Sequence, residues 1–166
     1  MTVSQSTHNS PGLGPLPAVA RDRAADLHFA FVGNLQQVRV TLDAIDAEMA
    51  GRNLCPDARD NIQLVLAEVL NNVVEHAFRD RADGALSVTI EIGRDVLHCV
   101  VLDDGVPMPG LEMPNGERPE VVGIAVEDLP EGGFGWFLIH RLSESLHYER
   151  SEAGNRFTFR LPVARN

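Results

Sequence analysis

Glu68, Asn72 and His76 stand four residues apart within Glu68-Val69-Leu70-Asn71-Asn72-Val73-Val74-Glu75-His76-Ala77. On a helix of 3.6 residues per turn each step of four drifts only about 40° around the axis, so the three polar groups form one stripe. Singly, such a stripe reads as the solvated side of an amphipathic helix. Asparagine is a poor helix former, however, and Asn71-Asn72 lies mid-helix beside the β-branched pair Val73-Val74. Local propensity is overridden there, which points to a function.

Two further stretches carry chemistry. Val100-Val101-Leu102-Asp103-Asp104-Gly105 is an apolar run ending in a carboxylate, with a glycine close behind. A carboxylate buried at a strand end accepts a hydrogen bond from an exocyclic amino group such as that of adenine, and a glycine lets a flat ligand approach the backbone. Gly132-Gly133-Phe134-Gly135-Trp136 runs straight into a helical pattern. Backbone N–H groups at a helix start, unobstructed by side chains, form an anion site that needs no lysine. That matters because the chain contains no lysine, which excludes P-loop and Schiff-base schemes and the strand lysine of eukaryotic-type protein kinases.

These groups need elements to hold them. Leu27 to Val32 reads as a first strand. Asn34 caps a helix carrying Leu35, Val38, Leu42, Ile45 and Met49, which Gly51 stops. Cys55-Pro56-Asp57 opens a second helix, with Asp57 as the expected cap, running to about Phe78. Leu86 to Ile92 and Val96 to Leu102 form a hairpin around Gly93-Arg94-Asp95. A long segment from Val106 to Glu131 follows, with five prolines and little periodicity, which fits a functional loop or lid. Phe134 to Leu142 resumes a helical pattern, and strands at Ser145 to Arg150 and Arg156 to Leu161 flank a turn at Ala153-Gly154-Asn155. Residues 1–25, rich in Ser, Pro, Gly and Ala, read as a disordered leader before a single domain at 26–166.

The 166 residues carry 14 basic against 24 acidic groups, a net charge of −10, so direct nucleic-acid binding is not expected and a basic protein partner suits the surface better. No apolar run is long enough to span a membrane, and no secretory signal is visible in these residues. Cys55 and Cys99 make no disulfide framework, and a reducing cytoplasm is the expected location.

In their order and spacing the three stretches resemble the N, G1 and G2 boxes of the Bergerat ATPases, above all the bacterial anti-sigma factor serine/threonine kinases. The resemblance runs from about Leu27 to Leu161 and includes the ending around Gly154-Asn155-Arg156. It implies an α/β (α+β) two-layer sandwich: a mixed, mostly antiparallel sheet of about five strands covered on one face by three helices. It also implies ATP and Mg²⁺ as ligands. Asn72 would ligate Mg²⁺, Glu68 would be the general base, and Asp103 would read adenine with Gly105 making room for the base. Gly133 and Gly135 would flank the phosphates, His76 would pack or orient, and Asn71 would touch nucleotide or Mg²⁺ indirectly. Pro107 stands where many relatives have a second G1 glycine, and Arg118 is the only basic residue of the lid. The activity implied is phosphorylation of an anti-sigma factor antagonist in a partner-switching module that controls a sigma factor, by a protein that pairs into homodimers. An ATP-binding module that sequesters a partner without catalysis is the alternative. A complete histidine kinase is disfavoured, because His8 lies in a polar, proline-rich tail rather than on a dimerisation helix.

Overall fold

A computed structural model describes residues 27–117 and 134–165. The leader, Arg118, Gly132 and Gly133 lie outside the described residues, as does the second half of the proline-bearing loop. Strand β1 (Leu27–Val32) is followed by helices α1 (Leu35–Ala50) and α2 (Pro56–Asn72), then by a π-helical turn over Val73–Ala77. The hairpin of β2 (Ala85–Ile92) and β3 (Val96–Asp103) comes next, with a short 3₁₀ turn at Pro109–Leu111. Helix α3 (Phe134–Leu142) and the hairpin of β4 (Glu144–Ser151) and β5 (Gly154–Pro162) complete the order.

The five strands form one open sheet in the order β1-β2-β3-β5-β4. All four pairings are antiparallel, so the sheet is not the mixed one expected. Alternation along the strands sends Leu86, Val88 and Ile90 of β2, Leu97, Cys99 and Val101 of β3, and Phe157, Phe159 and Leu161 of β5 into one core. The helices close that face with Val38, Ile45 and Met49 of α1, Ile62, Val65, Leu66 and Val69 of α2, and Ile139 of α3. Burial pushes the Cys99 thiol up to about 12, so this cysteine is an inert core side chain.

Helix α1 starts as its sequence suggests, with the Asn34 Oδ1 accepting from the Gln37 N–H at 2.9 Å. Helix α2 departs from expectation at both ends. Its N-cap is Cys55, without a side-chain bond, and Pro56 takes the first turn. There the missing proline N–H costs nothing, while Asp57, inside that turn, complements the helix dipole instead of capping. At the far end the α pattern widens after Asn72, and the Phe78 N–H bonds the Val73 carbonyl at 3.1 Å. Such π turns gather at functional sites.

Candidate functional site

Asp103 closes the core-facing row of β3, two residues beyond Val101, so its carboxyl is carried into the interior on the apolar side of the sheet. It is 8% exposed, and the ladder sets Asn155 of β5 directly opposite. One oxygen, Oδ1, accepts from the Gly105 N–H at 2.9 Å and from the Asn155 Nδ2 at 2.7 Å. Among the described residues no group bonds the other oxygen. Burial raises this carboxyl above its ordinary value, against the lowering effect of the Asn155 and Gly105 bonds and of the Arg150 charge.

Asp103 opens on a cavity of about 460 Å³, within the range of small-molecule sites. Across it stands the α2 side: Val69, Asn72 and Val73, then His76, Ala77 and Arg79 from the π turn and just beyond. Pro107 and Met108 form part of the rim, and Trp136 of α3 packs edge-on against Phe157 of β5 with centroids 5.8 Å apart. The walls are mostly apolar, which suits a flat ring, and Asp103 offers an acceptor to an exocyclic amine on it.

The Asn72 Nδ2 is buried without a hydrogen-bond partner among the described residues. A donor left unsatisfied at a cavity wall is costly unless a ligand acceptor, such as a phosphate oxygen, completes it, and the carbonyl end of the same amide is a sound hard-oxygen ligand for a cation. Among the described residues no group of three His, Cys, Asp or Glu side chains could hold a metal ion. A divalent cation beside Asn72 would therefore keep most of its positions for water and phosphate oxygens. That is the habit of Mg²⁺, and the residues fit it.

The remaining expected residues divide. His76 lines the cavity, while Asn71, one residue round the helix from Asn72, does not. Glu68 lies outside the lining too, and its carboxylate rests against Gly135 at the start of α3. A Cβ on Gly135 would run into Glu68 Oε2, so the bare glycine is what lets the carboxylate sit there. Gly105 is not part of the lining. A Cβ there would stand 2.6 Å from the Ala77 carbonyl oxygen, and the Val106 N–H bonds that carbonyl at 3.0 Å. The glycine lets the end of β3 abut the π turn. Gly133 lies outside the described residues.

Three residues outside the three stretches join the site. The sequence places Asn155 in a turn, but the turn is Glu152-Ala153, and β5 already begins at Gly154. Gly154 has φ +134, and a Cβ on it would collide with the Asp103 carbonyl. The parity shared by Asn155, Phe157, Phe159 and Leu161 was the signal for a core-facing asparagine. Tyr148 and Arg150 of β4 complete the group. The Tyr148 hydroxyl donates to the Asn155 Oδ1 at 2.7 Å, and Arg150 donates to it at 3.0 Å.

The sequence pattern of the family described as histidine kinase-like ATPase domain matches residues 31–161. The chain belongs to this family. The matched segment of the histidine kinase-like ATPase domain runs from β1 into β5 and contains every site residue above. The chain is similar to the serine-protein kinase RsbW of Bacillus mycoides (strain KBAB4), 24% identical over 115 residues, 69% of each chain. It is also similar to RsbW of Bacillus subtilis (strain 168), 23% identical over 112 residues, 68% of each chain. In fold it is similar to the blue-light activated histidine kinase EL346 of Erythrobacter litoralis, with a TM-score of 0.51 and 24% identity. That likeness covers 78% of this chain and 40% of the larger protein. Among the described residues no helix is long and apolar enough to cross a membrane.

Proposed function

We propose that this protein is a Mg-ATP-dependent serine kinase that acts as an anti-sigma factor, phosphorylating an antagonist protein in a partner-switching module of the cytoplasm. The observation that carries the ATP site is one cavity bearing a buried acceptor, Asp103, and an unsatisfied amide, Asn72. The similarity to serine-protein kinases supports the acceptor chemistry.

In this reading Asp103 accepts from the adenine amine, and the Asn72 amide oxygen holds Mg²⁺. When bound, Mg²⁺ neutralises phosphate charge and fixes the phosphate chain. Gly133 and Gly135 flank the phosphates with backbone N–H groups, and Glu68 takes the proton of the partner's serine hydroxyl. His76 orients the helix side of the site. Partners are a sigma factor and its antagonist, and the acidic chain suits a basic face on either.

Titration with ATP in the presence and absence of Mg²⁺ tests the site. Asn72→Ala should weaken Mg-dependent ATP binding by about ten-fold or more. Glu68→Gln should keep that binding while phosphate transfer to an antagonist falls by about a hundred-fold or more. Undiminished binding by Asn72→Ala would remove the metal role.

One observation favours a second reading, an ATP-binding module that sequesters a partner without catalysis. Glu68 rests on Gly135 and does not line the cavity. Binding of Mg-ATP with no label transferred from γ-labelled ATP to any antagonist would select it.

A further inference from the structure

The ladder aligns Asp103 of β3, Asn155 of β5 and Arg150 of β4 in one row across the sheet. Tyr148 stands two rows away, on the same face, and sends its hydroxyl to the same amide. Every hydrogen in this group has a set direction. The Tyr148 Oη accepts from the Met108 N–H at 3.0 Å, so its own proton goes to the Asn155 Oδ1. Arg150 can only donate, and its Nη1 reaches both the Asn155 Oδ1 and, at 2.7 Å, the Gly105 carbonyl. With its oxygen held by two donors, the Asn155 amide must point Nδ2 the other way. That nitrogen donates to the Asp103 Oδ1 and, at 3.0 Å, to the Val106 carbonyl. Oδ1 is thereby occupied as an acceptor, and Oδ2 is the oxygen left for a ligand.

We infer that Tyr148 and Arg150 are positioning residues that set base selectivity, acting through Asn155 to hold Asp103 as an acceptor toward an amino group. This rests on the reading of Asp103 as the base-reading residue and deepens it. An ionised carboxylate can only accept, so it favours a purine carrying an amine over one carrying an oxo group at the same position. A protonated carboxyl can donate as well and discriminates poorly. Freed from its two donors, Asn155 can turn away. Asp103 then loses a bond that favours its charged form while keeping the burial that opposes it. The other charges bearing on it are Arg150 itself and Asp104 in the turn after β3. From the helix side, His76 and Arg79 line the same cavity. The relay also pins Gly105, Val106 and Met108, the root of the proline-bearing loop, so that ring and reader meet in fixed register.

The test compares the full chain with Tyr148→Phe, Arg150→Met and the double variant, with folding verified by thermal unfolding. Affinities for Mg-ATP and Mg-inosine triphosphate are measured; inosine carries an oxo group where adenosine carries the amine. We expect the wild-type preference for ATP to fall by about ten-fold in the double variant and less in each single one. Arg150→Lys, which keeps a donor, should restore most of it. Loss of affinity for both nucleotides in equal proportion would show a merely structural role and overturn the inference. So would full selectivity in a folded double variant. A wild type that binds both nucleotides equally would remove Asp103 as base reader, and the inference with it. A wild type that prefers ATP alongside unchanged variants overturns the inference alone.

Discussion

Asp103 accepts two hydrogen bonds on Oδ1 and, among the described residues, none on Oδ2, inside a mostly apolar wall. Burial is the larger influence and raises the carboxyl above its ordinary value of 3.8. The sign for stability follows. Below 3.8 the group is protonated in both folded and unfolded chains. As pH climbs from there through the raised folded value, the unfolded chain ionises first and folded stability declines. Ionised Asp103 is thus a standing cost at neutral pH, which the proposed role in reading the base would account for. Asp103→Asn keeps an oxygen for Gly105 and Asn155 and replaces Oδ2 by a donor. The variant should unfold in denaturant at least as late as wild type at pH 7, with its advantage shrinking as pH falls through the raised folded value and gone by the ordinary value of 3.8. Its nucleotide preference should turn from ATP toward inosine triphosphate. A variant less stable than wild type at pH 7 would show that the carboxylate is structural.

At the scale of elements, the two chain crossings that build the site are close backbone contacts. Gly105 abuts Ala77 where the π turn meets the end of β3, and Gly154 passes the Asp103 carbonyl. Because the obstacle at Gly105 includes backbone as well as the Ala77 Cβ, it has little room to yield. Gly105→Ala should cost about 1–3 kcal/mol, read from the midpoint of denaturant unfolding. At Gly135 the obstacle is the tip of Glu68, which can swing aside, so a substitution there moves a side chain more than it strains the fold. The elements themselves were largely legible: β1, α1 and α3 have the limits their periodicity suggests, since capping and amphipathic spacing are local signals. Asp103 and Asn72 were legible too, through a strand ending in acid and a mid-helix asparagine. Asn155, Tyr148 and Arg150 were not, because their role depends on which strand neighbours β3. Sequence order suggests β4, and the sheet inserts β5 instead. The contact of Gly105 with Ala77 was hidden for a similar reason, since the π turn beside it is a tertiary fit.

Across the whole molecule, the sheet order puts β3 in the middle, flanked by β2 and β5, and leaves β1 and β4 at the edges. The described start of the proline-bearing loop leaves from the end of β3 and is tied down at Pro114, whose carbonyl lies 2.9 Å from the His140 Nε2 of α3. At the other end of the sheet Arg165 donates to the carbonyls of Arg52, Gly93 and Arg94, joining the α1–α2 connection to the β2–β3 turn. The central placement of β3 has a consequence for amide hydrogen exchange. Its N–H groups are shielded by partners on both sides, so they should trade deuterium only when the entire domain opens. Mg-ATP should leave the ranking of those amides untouched while slowing exchange along residues 105–117. Deuterium uptake followed by mass spectrometry separates the two. Slowing confined to β3, with residues 105–117 unchanged, would mean that the ligand stabilises the domain without being gripped by that segment.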